Sequence, residues 1–391
     1  MSEPGRPFSG WAWALLAVAT IGAAFALVRF AFGIGAIANI NDAYPWGWWV
    51  GFGVLGFIVF GGCGFTIALL VYIFGQHQYR PFVRPAIAMG LLLYLGYVVI
   101  LMIELGRPWM GWLIFFSWSP TSALFEVAWC ATLYTTVLVI EFGKMAATHH
   151  RWHRAARLLG VVYLPAVVVG VSLSHVHQMS LGTLLTIVPL KVDPRWWSEL
   201  LPVTFLLSAY MAGMALVTIE HVLATGRLRL KPRVDLLGGL ARIQIGVIAL
   251  FLVLRIGDLV YRGATDAMLG LDWLSFLLWT ELVVGFVVPL ALFSIPDVRR
   301  SKWALFSASC LVGAGVLFNL LNTAVFGMQV HHWESYFPSI GEFATTFGVL
   351  AGLVLIYGFL VRRLPIHSEE PLDDAPGPEP VTMARVSESY S

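Results

Sequence analysis

Ionisable side chains set inside long apolar runs are the residues of this chain that can do chemistry. Glu104, Glu126, Glu141, Glu220, Asp258 and Glu281 supply carboxyl groups. Arg29, Arg242 and Arg255 supply guanidinium groups, and His175, His177 and His221 supply imidazoles. An ionisable group in hydrocarbon is costly to hold, so each marks a proton, ion or substrate path by default. Arg255 and Asp258 are three apart on one helical face, where they are expected to pair. Glu126 and Glu281 have no same-helix cation at helical spacing, which suits a carboxyl that holds or passes a proton.

Several chemistries are not expected. Cys63, Cys130 and Cys310 lie singly in apolar runs, without the paired spacing of a zinc or iron–sulfur site. A bis-histidine haem needs histidines on facing helices at like depth. His175 and His177 point to different faces, and His221 falls at the other end of its run, so no haem is expected on this chain. Walker and dinucleotide-binding fingerprints are missing from the sequence. A net charge of +2 gives no footprint for nucleic acid.

The elements that must carry these groups follow from composition. Of 391 residues, 59% are hydrophobic and 12% charged. A helix of about 20 apolar residues spans a bilayer core about 30 Å thick. Runs of that length recur at 11–33, 48–74, 84–105, 120–142, 156–177, 199–223, 238–260, 273–294, 303–326 and 341–361. They are continuous rather than alternating, so the fold class is all-α: a polytopic membrane protein of about ten spans. The first run is too long for a cleaved signal segment and reads as a retained span. Residues 1–364 form the transmembrane domain. Residues 365–391, rich in Pro, Glu, Asp and Ser, read as a disordered cytoplasmic tail.

Lys and Arg collect on one side of this arrangement. Arg80, Arg84, Lys144, Arg151, Arg154, Arg157, Arg227–Arg233, Arg299–Lys302, Arg362 and Arg363 share it, together with Arg6 and Arg385. The other side carries Arg107, Lys191, Arg195 and Arg262. The positive-inside rule then puts both termini in the cytoplasm of a bacterial inner membrane. On that orientation Arg29, Glu104, Glu126, His175, His177, Arg255, Asp258 and Glu281 gather toward the outer ends of their helices. Glu141, Glu220, His221 and Arg242 fall near cytoplasmic ends, where long side chains snorkel. The outer loops carry Trp46, Trp48, Trp49, Trp109, Trp196 and Trp197, which read as interfacial anchors.

An internal repeat is also visible. Glu104 to Asp258 is 154 residues, Glu126 to Glu281 is 155 and His177 to His331 is 154. Two similarly oriented four-helix bundles follow, spans 2–5 and 6–9, flanked by spans 1 and 10.

The residues resemble the NrfD/PsrC-type quinone-interacting membrane subunits, most of all the branch serving periplasmic uptake nickel–iron hydrogenases, the HybB type. The likeness runs through Arg29-Phe-Ala-Phe-Gly-Ile-Gly, Tyr44-Pro-Trp-Gly47, Gln78-Tyr-Arg-Pro-Phe-Val-Arg-Pro85, Glu104-Leu-Gly-Arg107, Leu124-Phe-Glu126, His177-Gln-Met-Ser-Leu-Gly182, Lys191-Val-Asp-Pro194, Val253 to Arg262, Glu281 and Tyr336-Phe-Pro338. Position 104 is often Asp and position 258 often Glu in that family; both swaps keep the charge. The resemblance implies a menaquinone or ubiquinone pocket near the periplasmic face, with a ferredoxin-like iron–sulfur subunit and catalytic subunits docked there. It implies proton-path roles for Glu126 and Glu220. On this reading His177, Arg255, Asp258, Glu104 and Arg29 surround the quinone, and Glu126, Glu281 and Glu220 carry protons. A secondary transporter or channel is the alternative that ten helices and buried carboxyls also allow. A passive anchor would need only one or two of the helices.

Overall fold

A computed structural model describes residues 10–42, 44, 46–328 and 336–367. Arg6, Pro45, His331, Arg385 and the polar segment from 368 onward lie outside the described residues. Among the described residues, ten helices are long and apolar enough to cross a membrane. They are α1 (Gly10–Phe32), α2 (Trp49–Ile73), α3 (His77–Glu104), α4 (Ala123–His149), α5 (His153–Thr186), α6 (Leu201–Leu228), α7 (Val234–Tyr261), α8 (Trp273–Ser294), α9 (Lys302–Phe326) and α10 (Ile340–Arg363). Among the described residues the only β contact is an isolated bridge between Val192 and Met328.

Helices begin where a polar side chain can take up a free amide. Ser122 caps α4 by accepting from the Phe125 amide at 3.4 Å, and Asp272 caps α8 through the Ser275 amide at 2.9 Å. Ser339 and Glu342 form a reciprocal box at the start of α10.

The helices close into two rings. Helix α2 packs on α3, α3 on α4, α4 on α5, and α5 returns to α2. In the same way α6 packs on α7, α7 on α8, α8 on α9, and α9 returns to α6. The rings meet where α6 lies against α2 and α5, and α9 against α2. Helices α1 and α10 pair with each other and lie on α3. This is the expected pair of four-helix bundles with two flanking helices. Lipid gives no hydrophobic drive between helices, so close approach of small residues matters. A Cβ on Gly22 of α1 would sit 2.6 Å from Cα of Gly348 on α10, and one on Gly285 of α8 would sit 2.6 Å from Cα of Gly315 on α9.

Connections alternate between two faces. The basic face carries the turns 74–76, 150–152, 229–233 and 295–301; the aromatic face carries 33–42, 44, 46–48, 105–122, 187–200, 262–272, 327–328 and 336–339.

Four expectations are corrected. Helix α5 does not end at His177 but runs to Thr186, and Ser180 and Thr183 satisfy their hydroxyls within it on carbonyls one turn back. At about 1.5 Å per residue, His177 therefore lies about 13 Å inside the aromatic end. Glu141, Glu220 and His221 do not snorkel; they are buried between helices. The disordered tail does not begin at 365. Arg84 donates to the Pro365 carbonyl at 2.9 Å, and Ile366 is fully buried beside Ala88 and Met145. Finally, the loop tryptophans divide. Trp49 and Trp196 are fully buried, while Trp109, Trp112 and Trp118 are exposed as anchors would be.

Candidate functional site

The second bundle holds the densest polar site. Glu281 opens a π-helical stretch of α8, Glu281–Val287, and Asn322 opens another in α9, Asn322–Phe326. Such wide turns recur at functional sites because they shift side chains out of ordinary helical register. Glu281 is fully buried. Its Oε1 accepts from Asn319 Nδ2 at 2.7 Å; its Oε2 accepts from Asn322 Nδ2 at 2.7 Å and Trp196 Nε1 at 2.8 Å. Trp196 comes from the loop before α6 and both asparagines from α9, so two elements fix one carboxyl of a third.

Arg255 faces this carboxyl from α7 and is 4% exposed. Glu281 and Asp258 are the carboxyl groups nearest to act on it. The Nε and Nη2 of Arg255 have no hydrogen-bond partner. A buried guanidinium with free donors is rare and asks for an acceptor. Arg255 lines a narrow cleft, with room for about one water, together with Trp196, Ser198, Thr204, Asp258 and Asn319. The expected Arg255–Asp258 pair is not made. Asp258 Oδ2 instead accepts from Arg262 Nε at 2.8 Å, one turn further along, and Arg262 also reaches the Pro194 carbonyl at 3.0 Å.

The first bundle holds a different group. His177 is fully buried, with both ring nitrogens unpartnered. Its ring lies 5.8 Å from that of Tyr94, which meets the Tyr134 ring edge-on at 4.8 Å. The hydroxyls of Tyr94, Tyr134 and Ser174 and the Gln178 oxygen are buried without a hydrogen bond. Gln178 Nε2 is held by the Ile58 carbonyl at 3.1 Å. These six donors and acceptors suit bridging water in the interior of a membrane domain. His175, two residues earlier, turns instead to Tyr210 and Phe65.

The remaining expected residues lie elsewhere. Arg29 on α1 is buried and donates to the Ile103 and Leu105 carbonyls, so it caps the end of α3 beside Glu104. Glu126 is half-buried in the first turn of α4. The rise from there to Tyr134 is about 12 Å. Glu220 on α6 lies toward the basic face, where it binds Tyr357 and His367. The structure thus brings Arg255, Asp258 and Glu281 together, and separates them from His177, from Arg29 with Glu104, from Glu126 and from Glu220. Tyr94, Tyr134, Gln178, Tyr357 and His367 join these sites without a motif that marks them, and Trp196, expected as an anchor, joins them as a donor. Their one sequence signal is polarity within or beside apolar runs, which interfacial anchors share.

Among the described residues, the His/Asp/Glu group whose ligand atoms converge is Glu220, His221 and His367, all within 4.8 Å of one another. The Arg233 amide already occupies His221 Nε2 at 3.1 Å, so the set is better arranged for protons than for a metal ion.

Comparison with known proteins agrees with this architecture. The family model described as "Polysulphide reductase, NrfD" matches residues 37–327, which covers both bundles. The chain is 30% identical to the "Probable Ni/Fe-hydrogenase 2 b-type cytochrome subunit" of Escherichia coli K12, over 86% of this chain and 87% of that one. It is 26% identical to the "Menaquinone reductase, integral membrane subunit" of Nitratidesulfovibrio vulgaris, over 89% and 91%. With both of its helical rings inside the matched region and these relatives aligned along nearly their full length, the chain belongs to the NrfD family.

Proposed function

We propose that this chain is the quinone-exchanging membrane subunit of a respiratory redox complex in a bacterial inner membrane. In this reading both termini are cytoplasmic and the aromatic face is periplasmic. A ferredoxin-like iron–sulfur subunit docks on that face and exchanges electrons with menaquinone or ubiquinone, and the catalytic subunits are those of a nickel–iron hydrogenase. The names of the hydrogenase and menaquinone reductase relatives support this over a transporter.

The observation that carries the reading is Arg255. Two of its nitrogens are buried and unpartnered, and they line a cleft that adjoins the aromatic-face loop 187–200. Quinone reduction takes up two electrons and two protons at carbonyl oxygens. A guanidinium with free donors binds such an oxygen and stabilises negative charge developing there. The cleft is narrow and admits a water or a carbonyl oxygen, which is the group these donors lack. Glu281, in the same bundle, is fixed by Trp196, Asn319 and Asn322. Arg29 and Glu104 shape the same face farther out. His177 and its hydroxyl neighbours offer protonatable positions in the adjoining bundle, and Glu126, Glu281 and Glu220 carry protons to or from the site. Uptake through Glu220 would make turnover electrogenic.

The test is quinone reduction by the assembled complex carrying Arg255→Met. Turnover is expected to fall by at least about tenfold, in line with losing a charged hydrogen bond to the reacting oxygen, while the partner subunits still copurify. An Arg255→Met complex that reduces quinone at the original rate would remove Arg255 from the site and with it this reading.

A further inference from the structure

At the basic face the chain folds back on itself after α10. Arg84 of α3 holds the Pro365 carbonyl at 2.9 Å, and Ile366 is buried between α3 and α4 against Ala88 and Met145. The next residue, His367, is thereby inserted beside Glu220. Its Nε2 lies 3.0 Å from Glu220 Oε1, which also accepts from the Tyr357 hydroxyl at 2.6 Å. Glu220 is 7% exposed and His221 6%.

Two atoms here lack partners. Glu220 Oε2 is a buried acceptor without a donor. The Arg233 amide donates to His221 Nε2 at 3.1 Å, so the proton of the neutral His221 ring sits on Nδ1, and Nδ1 has no acceptor. A stranded donor next to a stranded acceptor is the arrangement a bridging water completes. Within the group of Glu220, His221 and His367, His367 keeps the most contact with solvent. The charged and titratable groups around it are Glu220 and His221 on α6, Tyr357 on α10, Arg233 before α7 and Arg84 on α3.

We propose that His367 collects protons at the basic face and delivers them to Glu220. This rests on the reading that protons for the quinone reaction pass through Glu220. In the step itself, a hydronium ion at the basic face gives its proton to Nδ1 of His367 and leaves as water. The Nε2–H bond then breaks and an O–H bond forms on Glu220 Oε1, leaving a neutral carboxyl and a neutral imidazole. Once Glu220 has passed its proton onward, a half-turn of the ring points the Nδ1–H at the carboxylate and the bare Nε2 at solvent, which resets the path. Glu220 Oε2 and His221 Nδ1, each without a protein partner, are the positions between which a bridging water would take the carboxyl proton onward. Arg84 and Ile366 are positioning residues that keep the C-terminal segment in reach.

The experiment uses the assembled complex in vesicles and measures quinone turnover with His367→Gln, His367→Ala and Glu220→Gln. Gln at 367 can still donate a hydrogen bond to Glu220 but cannot carry a proton, so it separates transfer from a structural tie. Both His367 variants are expected to turn over at least tenfold more slowly, with unchanged melting temperature for His367→Gln, and added imidazole is expected to restore His367→Ala. If His367→Gln runs at the original rate while Glu220→Gln is slow, His367 is only a tie and the proposal fails, although the path through Glu220 stands. If Glu220→Gln also runs at the original rate, the path itself is wrong. A slow His367→Gln beside an unimpaired Glu220→Gln overturns delivery to Glu220.

Discussion

The indole nitrogen of Trp196 lies 2.8 Å from Glu281 Oε2, tying the loop before α6 to a fully buried carboxyl of α8. That contact, with those of Asn319 and Asn322, fixes the charge that faces Arg255. Replacing Trp196 by Phe keeps most of the apolar volume and removes one donor. The buried oxygen then loses part of its hydrogen bonding, at a cost of about 1–3 kcal/mol. A lower melting midpoint in detergent is expected, together with slower quinone turnover. An unshifted midpoint would show that the tie contributes nothing to the fold.

His177 presents the opposite case, because no protein group hydrogen-bonds its ring. Replacing a buried, unpaired polar group by an apolar one of similar shape is close to neutral for stability. His177→Phe is therefore expected to melt no lower than the parent. Loss of a protonatable group on the path should slow turnover by at least about tenfold. Full activity in the folded variant would assign the ring to packing alone.

The close crossing of α8 and α9 is the third point of leverage. A Cβ on Gly285 would lie 2.6 Å from Cα of Gly315, backbone that cannot yield without moving a helix. Gly285→Ala is expected to destabilise by about 1–3 kcal/mol, as overpacking does. Because Glu281 is one turn away, turnover should fall as well. Gly352→Ala, whose Cβ would meet open space, is the control expected to change neither quantity.

Asp272 gives a pH dependence outside the spans. The Ser275 hydroxyl and amide, and then Arg195, hold its carboxyl below the usual carboxylate range. A value lowered by folding stabilises the fold fully above the unfolded carboxylate value of about 3.9, and that contribution is lost as pH falls through the folded value. Asp272→Asn retains capping ability and removes the charge. It should melt slightly lower than the parent at pH 7, and the two melting curves should converge below about pH 4. The carboxyl is about half exposed, 49%, so the effect is small. A gap that widens toward acid pH would contradict the assignment.

What could be read from the sequence followed from the solvent. Long apolar runs must be helices in lipid, so the ten spans and their approximate ends were legible, and the 154-residue spacing pointed to the two bundles. Local pairings were less secure. Arg255 and Asp258 share a helical face, but Arg262 offers Asp258 a partner one turn on, and periodicity alone does not rank the two. Helix length misled in α5, where the polar run after His177 resembled a loop and proved to be a further two turns.

The sequence by itself therefore determined that this chain is a ten-helix membrane protein, which ionisable groups lie within its spans, and which face is basic. Those properties come from composition and from periodicity along one chain. Only the tertiary structure decided which groups meet. Trp196 reaches Glu281 across 85 positions of chain, and His367 reaches Glu220 across 147. Such contacts depend on how helices cross and on a segment folding back after α10, and neither leaves a local pattern of residue types. The three donors on Glu281, the stranded guanidinium of Arg255 and the solitary ring of His177 became visible once the two rings of helices had closed around them.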